Sequence, residues 1–141
     1  MLDRLTSFGT IKFATANGSG ATKVSDVINM IDACRLEAGP YDLRLAIYPK
    51  ALATQDLVIS LLESDTLNGG KEPEAMTASE LEAATLPSSA DTVITKTVRA
   101  ADVQKGKVIK IGFPLSHKKY LQLSVTTTGT AEIFAGLEFG A

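Results

Sequence analysis

His117, in "PLSHKKY", and Cys34 are the one histidine and the one cysteine of a 141-residue chain. A thiolate nucleophile needs a base at hydrogen-bonding distance, and these two lie about eighty positions apart with nothing local to join them. Cys34 therefore reads as a small buried hydrophobe, and His117 as a surface residue in a polar turn. A single cysteine excludes an internal disulfide and a cysteine-based zinc site. A single histidine leaves small jelly-roll metalloenzymes of the cupin sort without their ligand set. The chain carries no P-loop, dinucleotide-binding glycine fingerprint, HExxH or nucleophile elbow. "NGSGAT" at 17–22 is glycine-rich but lacks the lysine of a phosphate loop, and reads as a turn. Carboxylates are scattered over surface positions, so no glycosidase pair can be inferred. With no tryptophan and 6% aromatic residues, stacking platforms for sugars or single-stranded nucleic acid are poorly supplied. These residues predict a protein that is not an enzyme, with no cofactor and no metal.

Charge is the next resource. The net value of −2 gives no general attraction to nucleic acid. Its distribution is uneven: Glu72, Glu74, Glu80, Glu82 and Asp91 form an acidic stretch, and Lys96, Arg99, Lys105, Lys107, Lys110, Lys118 and Lys119 follow with only Asp102 among them. Two readings stand: solvated strand faces and turns, or charge-complementary contact with another subunit. No apolar run approaches the roughly 18 residues a membrane helix needs, and "MLDRLTSFGT" lacks the basic-then-apolar pattern of a secretion signal. The expectation is a protein made and kept inside a cell, or assembled there into something larger, without a membrane partner.

The elements that would hold these side chains are strands. Period-two alternation runs through "YDLRLAIY", with Tyr41, Leu43, Leu45 and Ile47 on one face and Asp42, Arg44, Ala46 and Tyr48 on the other. It continues in "DLVISLLES", "TVITKTV" and "KVIKIGFPL", and more weakly in "IKFATA" and "VSDVINMI". Turn residues separate the runs at Asn17-Gly18, Gly39-Pro40, Asn68-Gly69-Gly70, Pro87-Ser88-Ser89 and Lys105-Gly106. Many short strands so punctuated predict an all-β fold, an antiparallel β-sandwich or jelly roll, in one domain over 1–141. One stretch departs from the pattern. "EPEAMTASELEAATLP" at 72–87 is rich in helix formers, and Thr77 with Glu80 matches a capping box. A short helix or ordered loop is expected near 77–85, stopped by Pro87.

The ending "YLQLSVTTTGTAEIFAGLEFGA", 120–141, reads as a hairpin. Pairing Thr126 with Thr130 leaves Thr127-Thr128-Gly129 as a three-residue loop, with Gly129 where a left-handed residue is needed. That register sets Val125 against Ala131, Leu123 against Ile133 and Leu121 against Ala135, with Leu137 and Phe139 on the same apolar face. Tyr120 would then lie outward, opposite Gly136, with Phe134 diagonal to it. The two rings either shield the sheet or form a small contact patch.

The chain resembles the jelly-roll capsid cement (decoration) proteins of tailed bacteriophages, in particular the group typified by the cement protein of a short-tailed Bordetella phage. The resemblance is carried by "MLDRLTSFGT", "YDLRLAIYPKA", "DLVISLLESDTLNGG", "ITKTVRAADVQKGKVIKIGFPL" and, most specifically, "KKYLQLSVTTTGTAEIFAGLEFGA". It covers nearly the whole length, though 72–90 is longer than the family's usual connection. It implies a non-enzymatic virion protein, assembled in the host cytoplasm, that binds the outer capsid surface as a homodimer or homotrimer and clamps neighbouring major capsid proteins. No catalytic residues carry over. Candidate contacts are an N-terminal arm at 1–8 (Leu2, Leu5, Phe8), the outward rings Tyr120 and Phe134, the basic pair Lys118 and Lys119, and loops such as 65–75. The alternative is another virion or tail-associated β-sandwich, such as a glycan-binding module.

Overall fold

The computed structural model describes residues 7–30, 42–113 and 118–140. Its strands are β1 (Ser7–Phe13), β2 (Ala21–Val24), β3 (Ile28–Asn29), β4 (Asp42–Pro49), β5 (Leu57–Ser64), β6 (Asp91–Val98), β7 (Ile109–Phe113), β8 (Tyr120–Thr127) and β9 (Ala131–Gly140). They form two antiparallel sheets. The first runs β1-β9-β4-β7; the second runs β2-β8-β5-β6, with β3 also on β8. Apart from β2 and β3, which share β8 as partner, only β5 and β6 are consecutive strands that pair. Every other pair of consecutive strands is split between the sheets, which is the winding of a jelly roll. The expected all-β sandwich is what the chain forms.

Alternation places one face of each sheet inward. Ile11, Phe13, Leu45, Ile47, Ile111, Ile133 and Leu137 from the first sheet meet Leu57, Ile59, Leu61, Leu121, Leu123 and Val125 from the second. Each such buried side chain contributes about 1.5–3 kcal/mol relative to exposure, so this layer is the main source of stability. Phe8 belongs to it, at 1% exposed, which corrects its expected place on a contact arm. A bulge between Ser7 and Gly9 breaks the strict alternation, and Phe8 turns inward with Ile11 and Phe13.

The terminal strands need a second correction. They do not pair with each other. β8 lies between β2 and β5, with Thr126 opposite Thr22 and Val58. β9 lies between β1 and β4, with Ala131 opposite Phe13 and Ile133 opposite Ile11. Residues 128–130 carry the chain from one sheet to the other. The apolar residues of both strands do face one core, as their spacing predicts, but from opposite layers. Gly129 is not at positive φ. Its role is close approach: a Cβ there would overlap Thr54 Oγ1 and lie 2.8 and 2.9 Å from Gln55 Cγ and Cβ.

Connections gather at two ends. At one, Asn17 N donates to Thr128 O (3.0 Å), Thr54 N to Thr130 O (3.0 Å) and Ala53 N to Val103 O (3.3 Å). These bonds tie together 14–20, 50–56, 99–108 and 128–130. At the other end, Met30 N donates to Lys119 O at 2.7 Å, and Lys119 N to Asp65 Oδ1 at 3.2 Å.

The connection 65–90 belongs to that second end. It contains α1 (Ala78–Glu82), and the capping box is formed. Glu80 N donates to Thr77 Oγ1 at 3.2 Å and Thr77 N to Glu80 Oε1 at 3.1 Å. The helix ends at Glu82 with Ala83 as its cap, ahead of Pro87. The connection then folds back over the outer face of the second sheet, where Leu67 and Leu86 pack on Tyr120.

Candidate functional site

The expected patch of Tyr120 with Phe134 does not exist. The two rings stand on the outer faces of opposite sheets, because their strands lie in different layers. Tyr120 is 4% exposed, under Leu67 and Leu86, with Leu62, Val27 and Met76 packed alongside. Its outward direction was legible; its cover comes from a segment some forty positions earlier, about which strand spacing carries no information. Gln122, two positions on and so on the same outward face of β8, is 2% exposed, and both ends of its amide are bonded. Its Oε1 accepts from Leu86 N at 3.1 Å and its Nε2 donates to Ser25 O at 2.7 Å.

Phe134 does stand on an accessible face, that of the first sheet. β4 and β9 pair so that Tyr48 lies opposite Phe134, Ala46 opposite Gly136, and Arg44 opposite Glu138. The rings of Tyr48 and Phe134 are 6.3 Å apart, tilted by 50°. Lys50 Nζ sits 5.9 Å from the centre of the Phe134 ring, within cation–π range. Tyr48 reaches past the small residues of the next row, and its hydroxyl donates to Glu138 Oε1 at 2.7 Å. Ala46 is 0% exposed although it points outward, as expected beneath a ring laid along the strand. Lys110, opposite Ala46 on β7, pairs with Glu138 Oε2 at 3.0 Å.

The electrostatics follow from these contacts. The Tyr48 hydroxyl and then Lys110 hold the Glu138 carboxyl below the usual carboxylate range. The same hydrogen bond, with burial and the Glu138 charge, pushes the Tyr48 hydroxyl up. An exposed ion pair is worth about 0–1 kcal/mol, but here three groups fix one another's rotamers. The result is a set of rings and charges held in place by one another. Sequence reading had Tyr48 on the face opposite Leu45 and Ile47, and Phe134 on an outward face; the missing fact was that β4 and β9 are neighbours.

The remaining candidates fall elsewhere. Lys118 pairs with Asp91 at 2.7 Å. Asp91, through that hydrogen bond and its charge, raises the lysine's pKa, with Asp65 and Glu63 adding to it. Lys119 is exposed. Leu2, Leu5, Cys34 and His117 lie outside the described residues. An open depression of about 420 Å³ lies within 65–90, lined in part by Asn68, Met76 and Thr85. Lys71 and Glu80 of its wall pair with each other at 3.0 Å. Among the described residues, no group of three or more His, Cys, Asp or Glu is placed to hold a metal ion.

Geometry thus defines a class, an antiparallel all-β sandwich of jelly-roll order with a preorganised aromatic and ionic patch on one sheet. No protein-family model and no curated protein matches the chain.

Proposed function

We propose that this chain is a virion interaction protein, a capsid cement that binds the outer surface of a tailed-phage capsid and stabilises the lattice of major capsid protein. The structural observation that carries the reading is the first sheet's outer face, where Tyr48, Phe134, Glu138 and Lys50 are fixed on a closed, rigid sandwich. Preorganisation lowers the ordering cost of association, and repetition over a lattice lets each contact be modest. Resemblance along most of the sequence points the same way.

The test is to add the purified protein to expanded capsids that lack it and look for ordered density by electron microscopy. Wild-type protein decorates them; Phe134→Ser combined with Lys50→Ser binds more weakly while remaining folded. Absence of wild-type density on capsids of its own phage overturns the reading. A second reading, a glycan-binding module of a virion or tail, draws on the same face, because two rings beside Glu138 and Arg44 combine stacking with polar recognition. Glycan binding lost on Phe134→Ser, without capsid binding, would select it.

A further inference from the structure

The two ends of the sandwich differ in charge. The connections at the 50–56 and 99–108 end carry Lys50, Arg99, Lys105 and Lys107 against Asp56 and Asp102. Among the described residues, the opposite end, built on 65–90, carries Asp65, Glu72, Glu74, Glu80 and Asp91 against Lys71, Lys118 and Lys119, of which Lys71 pairs with Glu80 and Lys118 with Asp91. The described charges therefore leave a basic excess at one pole and an acidic excess at the other, although Lys118 and Lys119 of the basic run lie at the acidic pole. Strands of eight residues keep the poles on the order of 25 Å apart, well beyond the roughly 8 Å over which salt screens charges. The poles do not neutralise each other within one molecule.

Each pole also exposes an apolar side chain among its charges. Leu52, at the basic pole, is 66% exposed, the highest value among the described large hydrophobics that stand out in solvent, and Val108 beside the same connections is 43% exposed. At the acidic pole Leu81 of α1 is 47% exposed, although it stands one residue from Glu80. An exposed apolar side chain at a pole whose charge is biased to one sign suits contact with a pole biased to the other.

We propose that the partner of each pole is the opposite pole of a second copy of this chain. Leu52 and Val108, at the pole that carries Arg99, Lys105 and Lys107, dock on Leu81, at the pole that carries Glu72 and Glu74. Such a contact is heterologous: one copy's head binds the next copy's tail, so the arrangement closes into a ring or continues as a row. It joins unlike poles, so an end-to-end two-fold dimer, which would set each pole against its own copy, does not form through these surfaces. The inference rests on the homo-oligomer part of the cement reading and specifies the surfaces used.

The experiment is sedimentation velocity on the full chain over a concentration series, at about 50 mM and about 500 mM salt, with circular dichroism to confirm folding. Wild type associates at low salt and loses at least roughly tenfold in association constant at high salt. Lys105→Glu/Lys107→Glu makes the basic pole acidic like the other, and Glu72→Lys/Glu74→Lys removes the negative excess of the acidic pole and leaves the basic pole intact; each variant alone is monomeric. Mixed, they associate again, because each offers the pole the other lacks. A wild type that stays monomeric, variants that associate as wild type does, or a mixture without rescue overturns the proposal. A monomeric chain that still decorates capsids overturns this inference and leaves the cement reading standing. Self-association without capsid binding does the reverse.

Discussion

Leu86 N donates to Gln122 Oε1 at 3.1 Å, and through that bond residues 65–90 are latched to the outer face of the second sheet. The other end of the Gln122 amide holds Ser25 O at 2.7 Å. Gln122→Ala leaves both groups buried without a partner, at a cost of about 1–3 kcal/mol for each unsatisfied group. The expected result is a lower midpoint in urea, with proteolytic nicking between 65 and 90 appearing before global unfolding. Wild-type stability and an unchanged nicking rate would show that the latch carries nothing.

Tyr120 and Phe134 should respond in opposite ways. Tyr120→Ser removes the floor on which Leu67 and Leu86 rest, and costs about 3–5 kcal/mol, as for a large core truncation. Phe134→Ser, on a half-exposed face, changes stability by no more than about 1 kcal/mol. Chemical denaturation of the two variants side by side checks this.

Gly129 distinguishes two reasons for a glycine. Were positive φ the requirement, asparagine would serve better than alanine. Close approach to Thr54 and Gln55 makes the order run with size. Gly129→Ala is expected to cost about 1–3 kcal/mol, and Gly129→Asn more. Thermal melts of the pair give the ranking.

The Tyr48–Glu138 bond predicts a pH dependence. Glu138's folded pKa is depressed, so its contribution is present above the ordinary carboxylate value of about 4.3 and is lost as pH falls through the depressed folded value. Tyr48's folded pKa is raised, so its contribution is present below the ordinary tyrosine value of about 10 and is lost as pH rises through the folded one. Both are intact at neutral pH. Tyr48→Phe should move the Glu138 carboxyl up toward its ordinary value, followed by carbon-detected NMR titration. The expected stability loss is about 0.5–1.5 kcal/mol at pH 7, shrinking in acid. A Glu138 titration unmoved by Tyr48→Phe would refute the assignment.

What the sequence disclosed was direction. Leu121, Leu123, Val125, Ala131 and Ile133 face the core as their alternation predicts, and Thr77 with Glu80 caps a helix as their spacing predicts. What it hid was partnership. A hairpin in one sheet and an arch between two sheets impose the same period-two pattern on both strands, so Thr126 opposite Thr130 and Thr126 opposite Thr22 are equally consistent with it. A side chain's burial also depends on what covers it. Nothing in "YLQL" announces that Leu67 and Leu86 will lie on Tyr120, or that Tyr48 and Phe134 will be neighbours. Only Leu86's backbone amide, lacking a strand partner, required some acceptor, and the sequence does not say which.

β9 forms the middle of the first sheet, between β1 and β4. During synthesis, Ser7 and its neighbours must therefore wait for a partner at Gly136 to leave the ribosome. Until then β1 has no strand partner in its sheet, and β4, although paired with β7, leaves its other edge open. Such late, non-local closure slows folding and prolongs the time in which nascent chains can stick to one another. Chaperone engagement of ribosome-held fragments ending before residue 131 is the expected consequence of placing an interior strand so long after the strand β1 it must join.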